Sequence, residues 1–244
     1  MPVFESPTAV AAKIIVALDV PTLSEAIATL KALPQVQFWK VGLELFCATG
    51  PAILEVLKAE EKRIFLDLKL HDIPNTVAAA ARAIAPFGVD FLTIHTATGL
   101  AGLQAAQAAL AHTPTQLLGV TLLTSIDAVT LRTQLQCDLE VPTYVKRMAS
   151  LAYEAGLGGI VCSAQEAAQI KTLWGESFLR VCPGIRPTGT ATADQARSLT
   201  PEAAFAAGAS YLVIGRPILT AADPAQAFAD ICQRCLTEKR DANP

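Results

Sequence analysis

A closed (β/α)8 barrel, a TIM barrel built as one α/β domain over residues 1–244, is the fold the sequence predicts. Three observations predict it. Short apolar runs alternate with helical patterns eight times along the chain, and strict strand–helix alternation means a parallel sheet with right-handed crossovers. The length of 244 residues matches the roughly 250 typical of a closed barrel. The competing open dinucleotide-binding sheet would carry G-x-G-x-x-G after its first strand. That strand ends instead in Asp19-Val20-Pro21, and no G-K-[ST] phosphate loop occurs either.

The strands are read at residues 14–19, 37–42, 64–68, 89–95, 116–124, 159–163, 179–184 and 211–215. Each is β-branched or Leu-rich and bounded by polar, Gly or Pro residues. Ala/Leu-rich segments with helical spacing lie at 23–33, 51–61, 74–87, 100–111, 142–155, 164–174, 201–207 and 225–235. Several begin with Pro, which is pre-organised for a first helical turn. No Gly/Ser-rich linker interrupts the pattern, so one domain is expected, with loose ends near 1–10 and 237–244. The fifth unit carries a long insertion at 125–141 and the seventh a polar run at 186–195, and long βα loops are where barrels place function.

Composition removes several function classes. The chain is 52% hydrophobic and 17% charged, too apolar for disorder. Its net charge is −3 and it has no Lys/Arg block, which opposes binding to nucleic acid. Residues 91–126 contain no Asp, Glu, Lys or Arg, but Gln104, Gln107, His112, Pro114 and Gln116 break them, so no span of roughly 20 apolar residues survives to cross a membrane. The N-terminal apolar run is split by Lys13 and has no signal-peptide flanks, so a cytoplasmic location is expected. Cys232 and Cys235 form a lone C-x-x-C late in a helical segment, without the preceding strand or second Cys/His pair that redox or zinc chemistry needs. No transition metal is expected.

Alternate strand residues point into a barrel, and active sites form at the C-terminal strand ends. Ile15, Ala17 and Asp19 share one face of the first strand, and Phe38 and Lys40 share one face of the second, bringing a carboxylate and an ammonium to one rim. The third strand places Asp67 and Lys69 two apart, with Leu66, Leu68 and Leu70 on the opposite face. Charges buried in a strand are tolerable when they pair or face a polar site. The alternative is a structural ion pair, with Asp72 capping the helix that begins at Pro74. The fourth strand ends in His95-Thr96 and the fifth in Thr124-Ser125, polar groups that a rim can use or satisfy with its own backbone. After the eighth strand, Gly215 allows close backbone approach and Arg216 can fork onto phosphate. Arg186, Gln195 and the Thr/Gly-rich loop between them complete a phosphate site of the kind barrels build there. The residues thus point to a phosphorylated small molecule.

With these residues in place, the sequence resembles the bacterial orotidine 5'-phosphate decarboxylases across most of its length. The most specific stretch is Phe65-Leu66-Asp67-Leu68-Lys69-Leu70-His71-Asp72-Ile73-Pro74-Asn75-Thr76. It is supported by Ala17-Leu18-Asp19, Lys40-Val41-Gly42, Pro183-Gly184-Ile185-Arg186-Pro187 and Val213-Ile214-Gly215-Arg216-Pro217-Ile218. The resemblance implies a cofactor-independent carboxy-lyase in pyrimidine synthesis that converts orotidine 5'-monophosphate to uridine 5'-monophosphate. It implies that Lys69 stabilises and protonates the C6 carbanion, with Asp67 beside the departing carboxylate. It further implies a homodimer in which Asp72, Ile73 and Thr76 cross the interface. Asp19 and Lys40 would contact ribose hydroxyls, Thr124 and Ser125 the pyrimidine, and Arg186, Gln195, Gly215 and Arg216 the phosphate. The nearest rival is the magnesium-dependent sugar-phosphate branch with a similar Asp-x-Lys-x-x-Asp strand. A Schiff-base aldolase using Lys69 and a non-catalytic nucleotide-binding barrel are the others.

Overall fold

The computed structural model describes residues 4–187 and 198–237. Eight parallel strands close on themselves in sequence order: β1 (Ile14–Ala17), β2 (Phe38–Val41), β3 (Arg63–Leu70), β4 (Phe91–His95), β5 (Gln116–Val120), β6 (Gly159–Val161), β7 (Leu179–Cys182) and β8 (Tyr211–Ile214). The barrel predicted from the alternation is therefore the fold observed.

Period-2 patterning separates the two cores. Ile15, Ala17, Phe38, Phe65, Phe91, Leu118, Val181, Tyr211 and Val213 fill the barrel interior. Their strand neighbours Ile14, Val16, Trp39, Ile64, Leu66, Leu92, Ile160 and Leu212 face outward into the sheath of helices. At roughly 25 cal/mol per Å² of apolar surface removed from water, this double burial is the main force closing the barrel.

The helices follow from the same pattern. They are α1 (Pro7–Ala11), α2 (Leu23–Ala32), α3 (Leu43–Thr49), α4 (Ala52–Ala59), α5 (Pro74–Ile84), α6 (Gly99–Ala109), α7 (Ala128–Thr133), α8 (Val141–Glu154), α9 (Ala164–Trp174), α10 (Pro201–Ala206), α11 (Arg216–Leu219) and α12 (Pro224–Thr237). Pro lies in the first turn of α1, α5, α8, α10 and α11. Thr22 and Ser163 cap α2 and α9 by accepting the N–H of Glu25 and Gln165.

Several expectations are corrected. The N-terminal residues are not loose from Phe4 onward. Ser6 caps α1, Val10 is fully buried and Phe4 meets Phe205 edge to face at 4.8 Å. Burial of these apolar groups outweighs the entropy of an ordered end. Thr237 closes α12, whereas residues 238–244 lie outside those described. α3, α7 and α11 occupy stretches read as loops; each is a short helix of seven residues or fewer at the C-terminal end of the barrel. β5 stops at Val120 rather than at 124, because the chain turns there and the Ile126 N–H bonds back to the Leu123 carbonyl. Among the described residues no helix is long and apolar enough to cross a membrane. Cys232 and Cys235 lie within α12, and burial pushes the Cys232 thiol up to about 11, where it is inert.

Candidate active site

A cavity of about 260 Å³ opens at the C-terminal end of the barrel. Asp19, Lys40, Asp67, Lys69, Thr124, Arg186, Gly215 and Arg216, all singled out from the sequence, line it.

β3 lines it with Phe65, Asp67 and Lys69. Lys69 Nζ donates to Asp67 Oδ2 at 2.8 Å, and the other carboxylate oxygen accepts from Thr93 Oγ1 at 3.0 Å. Asp67 is buried; the Lys69 side chain stays 31% exposed, so the ammonium is fixed at one end and open to the cavity. The strand is not regular here. Leu66 pairs with Leu92 and Leu70 with Ile94, leaving Asp67, Leu68 and Lys69 opposite Thr93 alone. Lys69 takes a φ of +50°, a left-handed conformation that costs a non-glycine residue about 1–2 kcal/mol. The Lys69 N–H donates to the Thr93 hydroxyl at 2.8 Å, so one buried threonine holds both the backbone that aims the lysine and the carboxylate that orients its charge. Such strain persists where the surroundings over-determine it, and it gathers at functional sites.

Thr93 is the residue that sequence reasoning missed. Its signal was present, since Phe91, Thr93 and His95 alternate on one strand face and a hydroxyl at an inward position needs a partner. Leu122 and Leu123 were likewise missed as cavity walls, because 116–124 was read as one strand.

On the adjoining rim Lys40 Nζ donates to Asp19 Oδ1 at 3.0 Å, with Lys40 nearly buried and Asp19 more than half exposed. A carboxylate held this way presents its free lone pairs to hydroxyl donors. The opposite rim follows β7 and β8. Gly184 has a φ of +77° and turns the chain into Ile185 and Arg186. A Cβ on Gly215 would meet the Ala17 Cβ at 3.2 Å and Asp19 Oδ2 at 3.6 Å, so glycine keeps this wall thin where a ligand would enter. Arg186 and Arg216 give this rim two guanidinium groups suited to an anion. Gln195 lies outside the described residues, as does most of the 186–195 run.

Four predicted positions are not brought into the cavity. Ser125 is exposed beyond Thr124. Asp72, Ile73 and Thr76 are all exposed, the first two in the β3–α5 turn and Thr76 in the first turn of α5, with Ile73 at 67%. Asp72 is not a helix cap: Ile73 occupies the N-cap position, and Asp72 Oδ1 accepts the N–H of Ile73 at 2.7 Å. Beside this turn the rings of His71 and His95 stack at 5.2 Å. Burial holds the His95 imidazole below its ordinary value, and the nearby His71 and Lys69 add to this. Among the described residues no group of three His, Cys, Asp or Glu side chains is arranged to hold a metal ion.

The family model described as "Orotidine 5'-phosphate decarboxylase / HUMPS family" matches residues 12–231. The chain belongs to this family. A relative named orotidine 5'-phosphate decarboxylase from Thermosynechococcus vestitus is 75% identical over 229 residues, covering 94% of this chain and 98% of the relative. Its namesake from Gloeothece citriformis is 54% identical, covering 91% and 96%. The crystal structure of orotidine 5'-phosphate decarboxylase from Lactobacillus acidophilus superposes with a TM-score of 0.81 at 37% identity, covering 92% of this chain and 98% of that one.

Proposed function

We propose that this chain decarboxylates orotidine 5'-monophosphate to uridine 5'-monophosphate and carbon dioxide in de novo pyrimidine synthesis, in the cytoplasm. The observation that carries the reading is the Asp67–Lys69 pair. An ammonium tied at 2.8 Å to a carboxylate, on a strained strand end, faces a cavity whose opposite rim holds two arginines. High identity to relatives bearing that activity in their names supports the same reading.

The chemistry suits these side chains. When the bond from C6 to the carboxylate carbon breaks, its electron pair stays on an sp2 carbon with no electron sink. A fixed positive charge lowers the cost of that pair, and the Lys69 ammonium then transfers a proton to C6 and is reprotonated from solvent. Because Asp67 and Thr93 orient the ammonium beforehand, little reorganisation accompanies the charge change. Asp67 is left beside the departing carboxylate, and Asp19 with Lys40 receives the ribose hydroxyls. Thr124 meets the pyrimidine, and Ser125 reaches it only if the segment after β5 moves inward when substrate binds. Gly215 and Arg216, with Arg186 and Gln195, take the phosphate, and binding energy gathered there drives assembly around the reacting carbon. Asp72, Ile73 and Thr76 of a second copy complete each site in a homodimer. The bare Ile73 and the outward Asp72 support that reading, since each chain leaves them uncovered.

The test follows the ultraviolet absorbance of orotidine 5'-phosphate with purified protein in excess EDTA, beside Lys69→Ala. Conversion by the wild-type protein alone is expected. A folded protein that leaves orotidylate untouched and turns over a sugar phosphate only with magnesium would move the chain to the other branch of its family.

A further inference from the structure

The end of β3 is secured to β4 at several successive points. Thr93 takes the Lys69 N–H and supports Asp67, Leu70 pairs with Ile94, His71 stacks on His95, and Thr98 Oγ1 donates to the Asp72 carbonyl at 3.2 Å. The reading of Thr93 and the strained Lys69 backbone explains the first of these. The ring pair has no role in the chemistry described above, yet it ties the turn between Lys69 and Asp72, of which His71 is part, to the end of β4.

We propose that His71 and His95 form a stacked positioning clasp that keeps the Lys69–Asp72 turn in its working geometry while His95 is neutral, and that releases it in acid. This rests on the decarboxylase reading for its catalytic consequence, though not for its structural one. The rings lie 5.2 Å apart at an angle of 21°, a parallel arrangement favourable for neutral imidazoles and unfavourable for two cations. His95 Nδ1 accepts the N–H of Ala97 at 3.3 Å, which places the ring proton on Nε2. Protonation of Nδ1 abolishes that acceptor and adds a positive charge beside another.

The groups facing His95 are the His71 ring and the Lys69 ammonium from the β3 side, with Asp67 bound to that ammonium and Asp72 next along the turn. The 3₁₀ turn Thr96–Thr98 after β4 contributes the Ala97 N–H. Burial, then His71, then Lys69 all favour the neutral form of His95. The sign follows: a lowered native value leaves the clasp whole above the ordinary histidine range near 6.5 and weakens it as pH falls below that range.

The experiment combines turnover with histidine NMR on the full-length protein and on His95→Ala, His95→Phe and His71→Ala. The exposed His112 is the internal reference. His95→Ala is expected to lower kcat by about tenfold with KM changed less than about threefold. His95→Phe, which keeps a stacking ring, is expected to recover most of that loss and to move the acid limb of the pH–rate profile to lower pH. In the wild type the Lys69 amide resonance should shift along with the His95 titration, and His71→Ala should raise the pH at which His95 titrates. A folded His95→Ala with unchanged kcat and acid limb overturns the clasp. So does a Lys69 amide blind to His95, or a His95 titration that His71→Ala does not move. If the wild-type protein leaves orotidylate unreacted, the decarboxylase reading falls and the two NMR measurements alone judge the clasp.

Discussion

The two ends of the barrel handle charge in opposite ways. At the N-terminal end the Arg63 guanidinium sits 4.0 Å from the centre of the Phe38 ring and 2.8 Å from Asp90, whose second oxygen accepts the Ile64 N–H. Lys13 lies 4.5 Å over Tyr211. These cations are spread over the faces of the aromatic interior, where the rings' negative quadrupoles stabilise them. At the C-terminal end Lys69 has a carboxylate partner but, among the described residues, no ring in cation–π contact with it, and its open side faces the cavity. A charge at the floor is held against rings and a carboxylate and serves stability. The charge at the rim is fixed but still available, at the cost of a strained backbone. The sharpest consequence of this difference is that rim substitutions should act on turnover and floor substitutions on the melting temperature.

Lys69→Ala tests the rim most severely. Turnover is expected to fall at least about 10³-fold while nucleotide binding, read by calorimetry, persists. Near-normal turnover would remove Lys69 from the reaction. Thr93→Val keeps the shape and deletes the hydroxyl, leaving Asp67 and the Lys69 N–H short of a partner. The expected loss is on the order of tenfold to a hundredfold in kcat, from one or two buried hydrogen bonds. Gly215→Ala crowds the wall shared with Ala17 and Asp19, and steady-state kinetics should show it mainly as a raised KM, by roughly tenfold for a contact loss near 1.4 kcal/mol. Arg63→Met at the floor is the converse. It should cost about 1–2 kcal/mol of stability, seen as a melting temperature lower by a few degrees, with kcat unaltered below the transition. A large kcat effect there, or a purely thermal effect of Thr93→Val, would erase the division between the two ends.

Much of this division was legible in the chain. Alternation along 14–19 and 37–42 put Ile15, Ala17 and Phe38 inside the barrel, where they lie, and carried Asp19 and Lys40 to a common rim, where they pair at 3.0 Å. Asp67 and Lys69 stood out because charges between leucines demand a purpose. Gly215 and Arg216 stood out because a glycine and an arginine end a buried strand. Thr93 escaped notice although the same alternation aims it inward. A threonine in a strand is ordinary, and only its position opposite the bulge makes it the support of both Asp67 and the Lys69 backbone. The stacking of His71 on His95 was equally invisible, since one ring lies in the turn after β3 and the other at the end of β4.

By itself, then, the sequence determined what each residue's immediate neighbours dictate: eight strands with an inner and an outer face, the helices that sheathe them, and the identities of the charged groups at the strand ends. These depend on periods of two and 3.6 residues and are written locally. The tertiary structure alone decided the left-handed backbone of Lys69, the single hydroxyl that serves both Asp67 and Lys69, the outward turn of Asp72 and Ile73, and the docking of α1 through Val10 and Phe4. Each of these depends on cross-strand register or on burial against a distant segment. Such contacts join residues far apart in the chain, and they exist only once the barrel has closed.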